Sequence, residues 1–185
     1  MFVVTYRGKF GFIKPWTAVR DGETFSQQFL TPSIIEGIEK KLFPELLGVN
    51  GICKIRRHKL EYATMNVQQE VVQTRGWEEK KGKMQPRPRS VLKRSVLQNP
   101  ILHIAFDSIE DARIAYKQTI CLCRNEDILF PDNEIEEMTE EQFANLSGFE
   151  LRFGKNDQSF LVGYNRFNKC LPMYGWLEYC GKTLL

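Results

Sequence analysis

The clearest periodicity in the chain lies between residues 29 and 43, FLTPSIIEGIEKKLF, where Ile34, Ile35, Ile38, Leu42 and Phe43 recur at helical spacing. Thr31 or Ser33 is placed to cap this helix, and Pro32 sits in the first turn, where a missing amide costs little. One apolar face must therefore be buried. Its partners read as strands: Phe2 to Tyr6, Gly51 to Tyr62 and Ile101 to Phe106. The second of these, GICKIRRHKLEY, alternates poorly, with Ile52, Lys54, Arg56 and His58 on one face and Cys53, Ile55, Arg57 and Lys59 on the other. A strand with RRHK at its centre is expected to meet solvent on at least one side, or to be covered by a ligand.

Between the opening strand and the helix lies a long aromatic and basic loop, GKFGFIKPWTAVRDGETFS. GWEEKKGKMQPRPR, from Gly76 to Arg89, holds two glycines, two prolines and dense charge, and reads as a mobile excursion between strands. After the third strand, Asp107 or Ser108 caps a helix running through Ala112 and Ala115 to about Thr119. The acidic stretch EIEEMTEEQFANLSG predicts a further short helix, with Thr139 as its cap and Gly148 as its stop. The Gly-punctuated aromatic tail from Phe149 reads as strand and loop. Strand, helix, strand, strand, helix and more strand make an α+β chain of split βαβ type, a ferredoxin-like or RRM-like core. In such folds helices cover one face of the sheet, and the other face or its basic edges meet single-stranded RNA.

At 185 residues the chain suits one domain, or one domain with an appendage, large enough to bury a core without staples. Cys53, Cys121, Cys123, Cys170 and Cys180 form an odd set without paired CxxC spacing, which argues for reduced thiols and against a disulfide scaffold or a zinc site. No signal-peptide pattern opens the sequence and no segment approaches a membrane span, so a cytoplasmic protein without a membrane partner is expected. The net charge of +3 is uninformative by itself, but its distribution is not. From Arg75 to Arg94 eight basic residues face two acids, a balance of +6; from Arg124 to Ser147 eight acids face one Arg, a balance of −7. That asymmetry points to a polyanion at one pole.

The order of pieces resembles a known family: an opening strand, the aromatic Gly-to-Pro loop GFIKPW, a TPS-led helix whose turn carries EGI, a basic second strand, and SFLVGYNRF near the C-terminus. Together these are similar to the CRISPR-associated Cas-five family, the subunit of type I Cascade complexes that holds the five-prime handle of the crRNA, and are nearest its type I-C branch. The resemblance covers most of Met1 to Phe106 and Ser159 to Phe167, whereas Arg124 to Leu151 has no counterpart. It implies an RRM-like (RAMP) core over residues 1–120 with a protruding thumb at about 64–97, and an acidic helical insertion with a β-rich extension over 121–185. It also implies crRNA, the backbone and large Cascade subunits and, through the complex, target DNA as partners, with no cofactor.

Candidate RNA contacts are Lys14, Trp16 and Arg20 in the first loop; Arg56, Arg57, His58 and Lys59 on the second strand; Arg75, Lys80, Lys81, Lys83, Arg87 and Arg89 on the thumb; and Arg166 near the C-terminus. Guanidinium groups fork onto phosphate oxygens and ammonium groups neutralise them as point charges. For the second strand the alternative is a charged edge strand protected from aggregation, and for the thumb a solvated loop. Phe12, Trp16, Phe160, Tyr164 and Phe167 could stack on splayed bases or pack in the core. Relatives said to cut the crRNA precursor use a tyrosine ending the first helix and a lysine and histidine on the third strand; here those positions hold Phe43, His103 and Ala105. His103 remains a candidate general base or a packed strand residue, and two histidines in all leave little room for a metal centre. The expected function is noncatalytic RNA binding. The alternatives are a metal-independent crRNA-processing endoribonuclease using His103, and a stand-alone RRM-like RNA binder or scaffold.

Overall fold

The computed structural model describes residues 1–15, 22–72, 76–165 and 168–181. β1 (Phe2–Arg7) opens the chain, followed by the short β2 (Phe10–Gly11) and β3 (Glu23–Phe25), and then by α1 (Pro32–Leu42). β4 (Ile55–Glu61) leads into four strands of an excursion: β5 (Thr64–Val72), β6 (Trp77–Lys80), β7 (Lys83–Pro86) and β8 (Ser90–Gln98). The chain returns through β9 (Ile101–Phe106), α2 (Ile109–Tyr116), β10 (Ile120–Cys121) and β11 (Ile128–Glu137). It ends in α3 (Glu140–Ala144), β12 (Gly148–Phe153), β13 (Phe160–Asn165) and β14 (Leu171–Cys180). The protein is α+β and strand-rich. No helix among the described residues is long and apolar enough to cross a membrane.

One sheet of eight strands, in the order β10-β11-β1-β9-β4-β12-β14-β13, organises the molecule. Four consecutive strands of it, β11-β1-β9-β4, pair antiparallel throughout, with α1 between β1 and β4 in sequence and α2 between β9 and β11. Alternate residues of these strands point to opposite faces. Val4, Tyr6, Leu60, Leu102, Ile104 and Phe106 meet Ile35, Ile38, Leu42, Ala112 and Ala115 from the two helices in one buried cluster. Val3 and Ala105, on the reverse face, pack with Phe143 of α3 in a second, smaller one.

The opening helix forms as its pattern predicts. Thr31 is extended at the N-cap and its carbonyl accepts from the Ile34 and Ile35 amides at 3.0 Å, with Pro32 at the first helical position. Ile34 is only partly buried. Glu39 interrupts the apolar face yet is 0% exposed, because its carboxylate accepts from the amides of Cys53, Lys54 and Ile55 at 2.8, 2.6 and 2.7 Å. Buried acceptors need partners, and here the partners are the amides that start β4, so Glu39 ties the helix to that strand. Ser108 caps α2 through the Glu110 and Asp111 amides, and this helix stops at Tyr116, short of Thr119.

Two expectations need correction. The first concerns only the residues ahead of the short acidic helix: the helix itself forms as expected, as α3 after a reciprocal capping box of Thr139 and Gln142, whereas the acidic residues up to Glu137 lie in β11, paired with β1. Gly148 follows in the left-handed region at φ 120°, where a β-carbon would meet the Leu60 carbonyl oxygen at 2.6 Å. The expected excursion from Gly76 to Arg89 is ordered β structure: β5 and β8 pair through nine registered positions and β6 with β7 make a hairpin at the tip. Lys81 and Gly82 turn that hairpin at φ 55° and 71°, the left-handed pair that a two-residue connection requires.

Candidate nucleic-acid interface

The RRHK strand does not meet solvent as expected. Of these four residues only Arg56 is exposed; Arg57, His58 and Lys59 are buried at 7, 4 and 2%. Arg57 forks onto Glu150 of β12, Nε to Oε1 at 3.0 Å and Nη2 to Oε2 at 2.6 Å, and its Nη1 reaches Glu140 at 2.9 Å. Burial pulls the Arg57 pKa down, and these carboxylates more than reverse it, leaving the guanidinium charge secure. Lys59 Nζ donates to the carbonyls of Phe143, Ala144 and Leu146 at 3.3, 2.8 and 2.7 Å, at the C-terminal end of α3 and just beyond it. Its pKa is lowered by burial. Arg56 itself pairs with Asp107 and Glu140. The cover of this strand is protein, supplied by α3, the turn after it and β12.

Both histidines are packed residues. His58 stacks on Phe153, centroids 5.8 Å apart, and burial, reinforced by the Arg152 and Arg57 charges, lowers its pKa to about 3. His103 is 8% exposed, its Nδ1 lies 2.9 Å from Thr5 Oγ1, and burial with the Arg7 and Lys59 charges lowers its pKa to about 4. A general base working near neutrality needs a pKa closer to that pH. Phe43 is buried edge-on against Phe106, and Ala105 is 0% exposed.

The excursion presents the opposite picture. β8 lies at the centre of a small sheet, with β5 on one side and β2 and β3 on the other, and the β6–β7 hairpin extends its end. Lys80, Lys81, Lys83, Arg89 and Lys93 are exposed and, among the described residues, form no ion pair. Lys80 and Lys83 stand directly opposite each other across the hairpin, an unfavourable like-charge pair. Arg87 is also exposed; its amide donates to the Gly76 carbonyl. Trp77 at 62% and Met84 at 64% exposure share one face of the hairpin, and Phe25, Val67, Val71 and Val91 are exposed on one face of the arm behind it.

The root of the arm is fixed by a clamp. Glu70 accepts from Arg94 at 2.6 Å and from Arg124 at 3.4 Å, and both guanidiniums lie over the Phe12 ring at 5.2 and 5.6 Å. Arg124 is held in turn by Asp127, which is 0% exposed. Arg94 and Phe12 thus serve the join between arm and body.

Lys14 is exposed beside the Ile13 carbonyl that receives the Gln27 amide. Tyr164 at 60% and Phe160 at 41% exposure lie on β13, at the sheet edge. Trp16, Arg20, Arg75, Arg166 and Phe167 lie outside the described residues. Among those described, no group of three or more His, Cys, Asp or Glu side chains could hold a metal ion. Sequence reasoning missed Glu150, the partner that removes Arg57 from the surface, and Trp77, whose place beside three lysines was a usable signal.

No protein-family model matches this chain, and no curated protein matches it.

Proposed function

We propose that the chain is a noncatalytic RNA-binding subunit of a type I CRISPR Cascade complex, holding crRNA through its arm and contacting the backbone and large subunits with its remaining surface. The observation that carries the reading is the arm tip: Lys80 faces Lys83 with Lys81 at the turn between them, all exposed, with Trp77 on the same hairpin. Repulsion between opposed lysines is relieved when a polyanion spans them, and the exposed indole on the other face of the same hairpin offers a base a stacking surface.

Topology supports the same reading. The four strands β11-β1-β9-β4, taken in chain order, run fourth, first, third, second across the sheet with helices after the first and third, the split βαβ plan of ferredoxin-like and RRM-like domains. On this reading β5 to β8 are the thumb inserted between the second and third core strands. Catalysis is not part of the proposal, because His103 is buried and poorly basic and Phe43 has no exchangeable proton.

The test is expression beside a repeat array and the remaining complex genes, followed by isolation of the chain and sequencing of the RNA it retains. The proposal expects repeat-derived RNA of defined length, kept by the parent and lost on joint replacement of Lys80, Lys81 and Lys83 by Ala. Retention of bulk RNA only would return the chain to a general RNA binder. Site-specific cleavage of repeat RNA in chelator that vanishes in His103→Ala would instead establish the endoribonuclease.

A further inference from the structure

A cavity of about 940 Å³ lies between the first turn of α1, the loop from Asn50 to Ile52 and strand β13. That size is in the range of small-molecule sites. Ile52, Val162 and Met173 supply an apolar wall, Ser33 and Asn50 supply neutral hydrogen-bonding groups, and Tyr164 stands beside them largely exposed. The one carboxylate on the wall, Glu36, is engaged by Lys40 Nζ at 2.6 Å and the Gly51 amide at 3.2 Å. Among the described residues no uncompensated charge therefore faces the cavity. The Ser33 hydroxyl already has Thr31 Oγ1 within 3.2 Å, so the Asn50 amide is the neutral polar group set beside the apolar wall. A flat heterocycle with a polar edge suits that combination.

The cavity also lies within a short length of chain from the arm. Phe25 is 60% exposed on the arm face, and Thr31 and Ser33 line the cavity only a few residues later, a distance the extended chain covers in about 20 Å. Between them lies a smaller hollow of about 300 Å³, formed by Ser26 to Phe29 with Phe149 and Leu177.

We propose that one unstacked nucleobase of the arm-bound RNA enters this cavity, stacks on Tyr164 and is met at its edge by Asn50; the inference rests on the RNA-binding reading above. Tyr164→Ala lowers affinity for a fluorescein-labelled oligoadenylate by roughly 5- to 150-fold, the range for loss of one stacked base, and Tyr164→Phe restores it. Because stacking carries no charge, the salt dependence keeps its slope in Tyr164→Ala and flattens when Lys80, Lys81 and Lys83 are replaced. Cys170, exposed and on the cavity wall, supplies a readout that needs no substitution: oligoadenylate slows its alkylation and leaves the exposed Cys123 unprotected. If the lysine variant loses affinity while Tyr164→Ala binds like the parent and Cys170 reacts unhindered, the cavity is overturned and the arm stands. Failure of Tyr164→Phe to rescue overturns stacking. A parent protein that binds no oligoadenylate overturns both readings.

Discussion

The two basic segments, β4 and the arm, carry similar cations and come to opposite ends. On β4, Arg57 and Lys59 are closed in by Glu150 and by the carbonyls after α3, whereas Lys80, Lys81 and Lys83 stand in water without an ion pair among the described residues. A sequence dense in Lys and Arg reports the charge, and the fold decides whether a neighbour neutralises it. Desolvation makes the buried cations part of the architecture, and only the unpaired exposed ones retain the capacity to bind an external anion.

Breaking the buried side should have the largest effect. Glu150→Ala leaves Arg57 buried without its fork, and loss of one partner from such a pair destabilises by about 3 to 5 kcal/mol, toward the lower end because Glu140 remains. Urea denaturation measures this, and a variant as stable as the parent would remove Arg57 from the framework. Joint replacement of Arg56, Arg57 and Lys59 by Ala should accordingly unfold the protein, so any RNA effect of that triple variant would not report direct binding by the strand.

The histidines give the next effect. His58 and His103 are held neutral, with pKa values lowered to about 3 and about 4 from 6.5. Between those limits the unfolded chain binds more protons than the native one. Stability is therefore complete above about pH 6.5 and falls as pH drops toward the native values, by up to about 1.4 kcal/mol per pH unit for each group. His103→Gln, which can still bond to Thr5, should remove one group's share of that slope in pH-dependent melting. An unchanged slope would mean that His103 binds its proton equally in the folded and unfolded chain.

Replacing Lys80, Lys81, Lys83 and Arg89 by Ala sharpens the exposed side. Melting should be unchanged and RNA affinity should fall at least about tenfold, with the slope of log affinity against log salt reduced by about 0.7 for each phosphate that is no longer neutralised. Equal affinity at low salt would exclude the arm. Smallest of all is Glu140→Ala, where a half-exposed carboxylate leaves Arg56 and Arg57, at a stability loss of about 1 kcal/mol or less. RNA affinity should not change. A rise would show that the β4 cations become a phosphate site once α3 loosens, and would blur the division between the two segments.

Much of the helical part of the fold was legible locally. The run from Thr31 to Leu42 combines an N-terminal Pro with apolar residues at helical spacing, and Ser108 and Thr139 are caps whose side chains do accept the expected amides. These features act over a few residues, so sequence suffices to read them. The acidic strand was not legible, because Glu-rich sequence favours helix and only the β1 ladder makes it a strand. Nor was the order of the excursion legible, since its prolines and glycines read as loop until the ladder between β5 and β8 supplies partners.

By itself the sequence determined the helices, the strands at Phe2 and Ile101 and the charge poles. Tertiary structure decided which charge is available. Arg57 meets Glu150 across a separation of 93 residues, and Lys59 meets Leu146 across 87. Such pairings follow from strand order in the eight-stranded sheet, a long-range property, whereas capping and periodicity follow from the few residues adjacent in the chain.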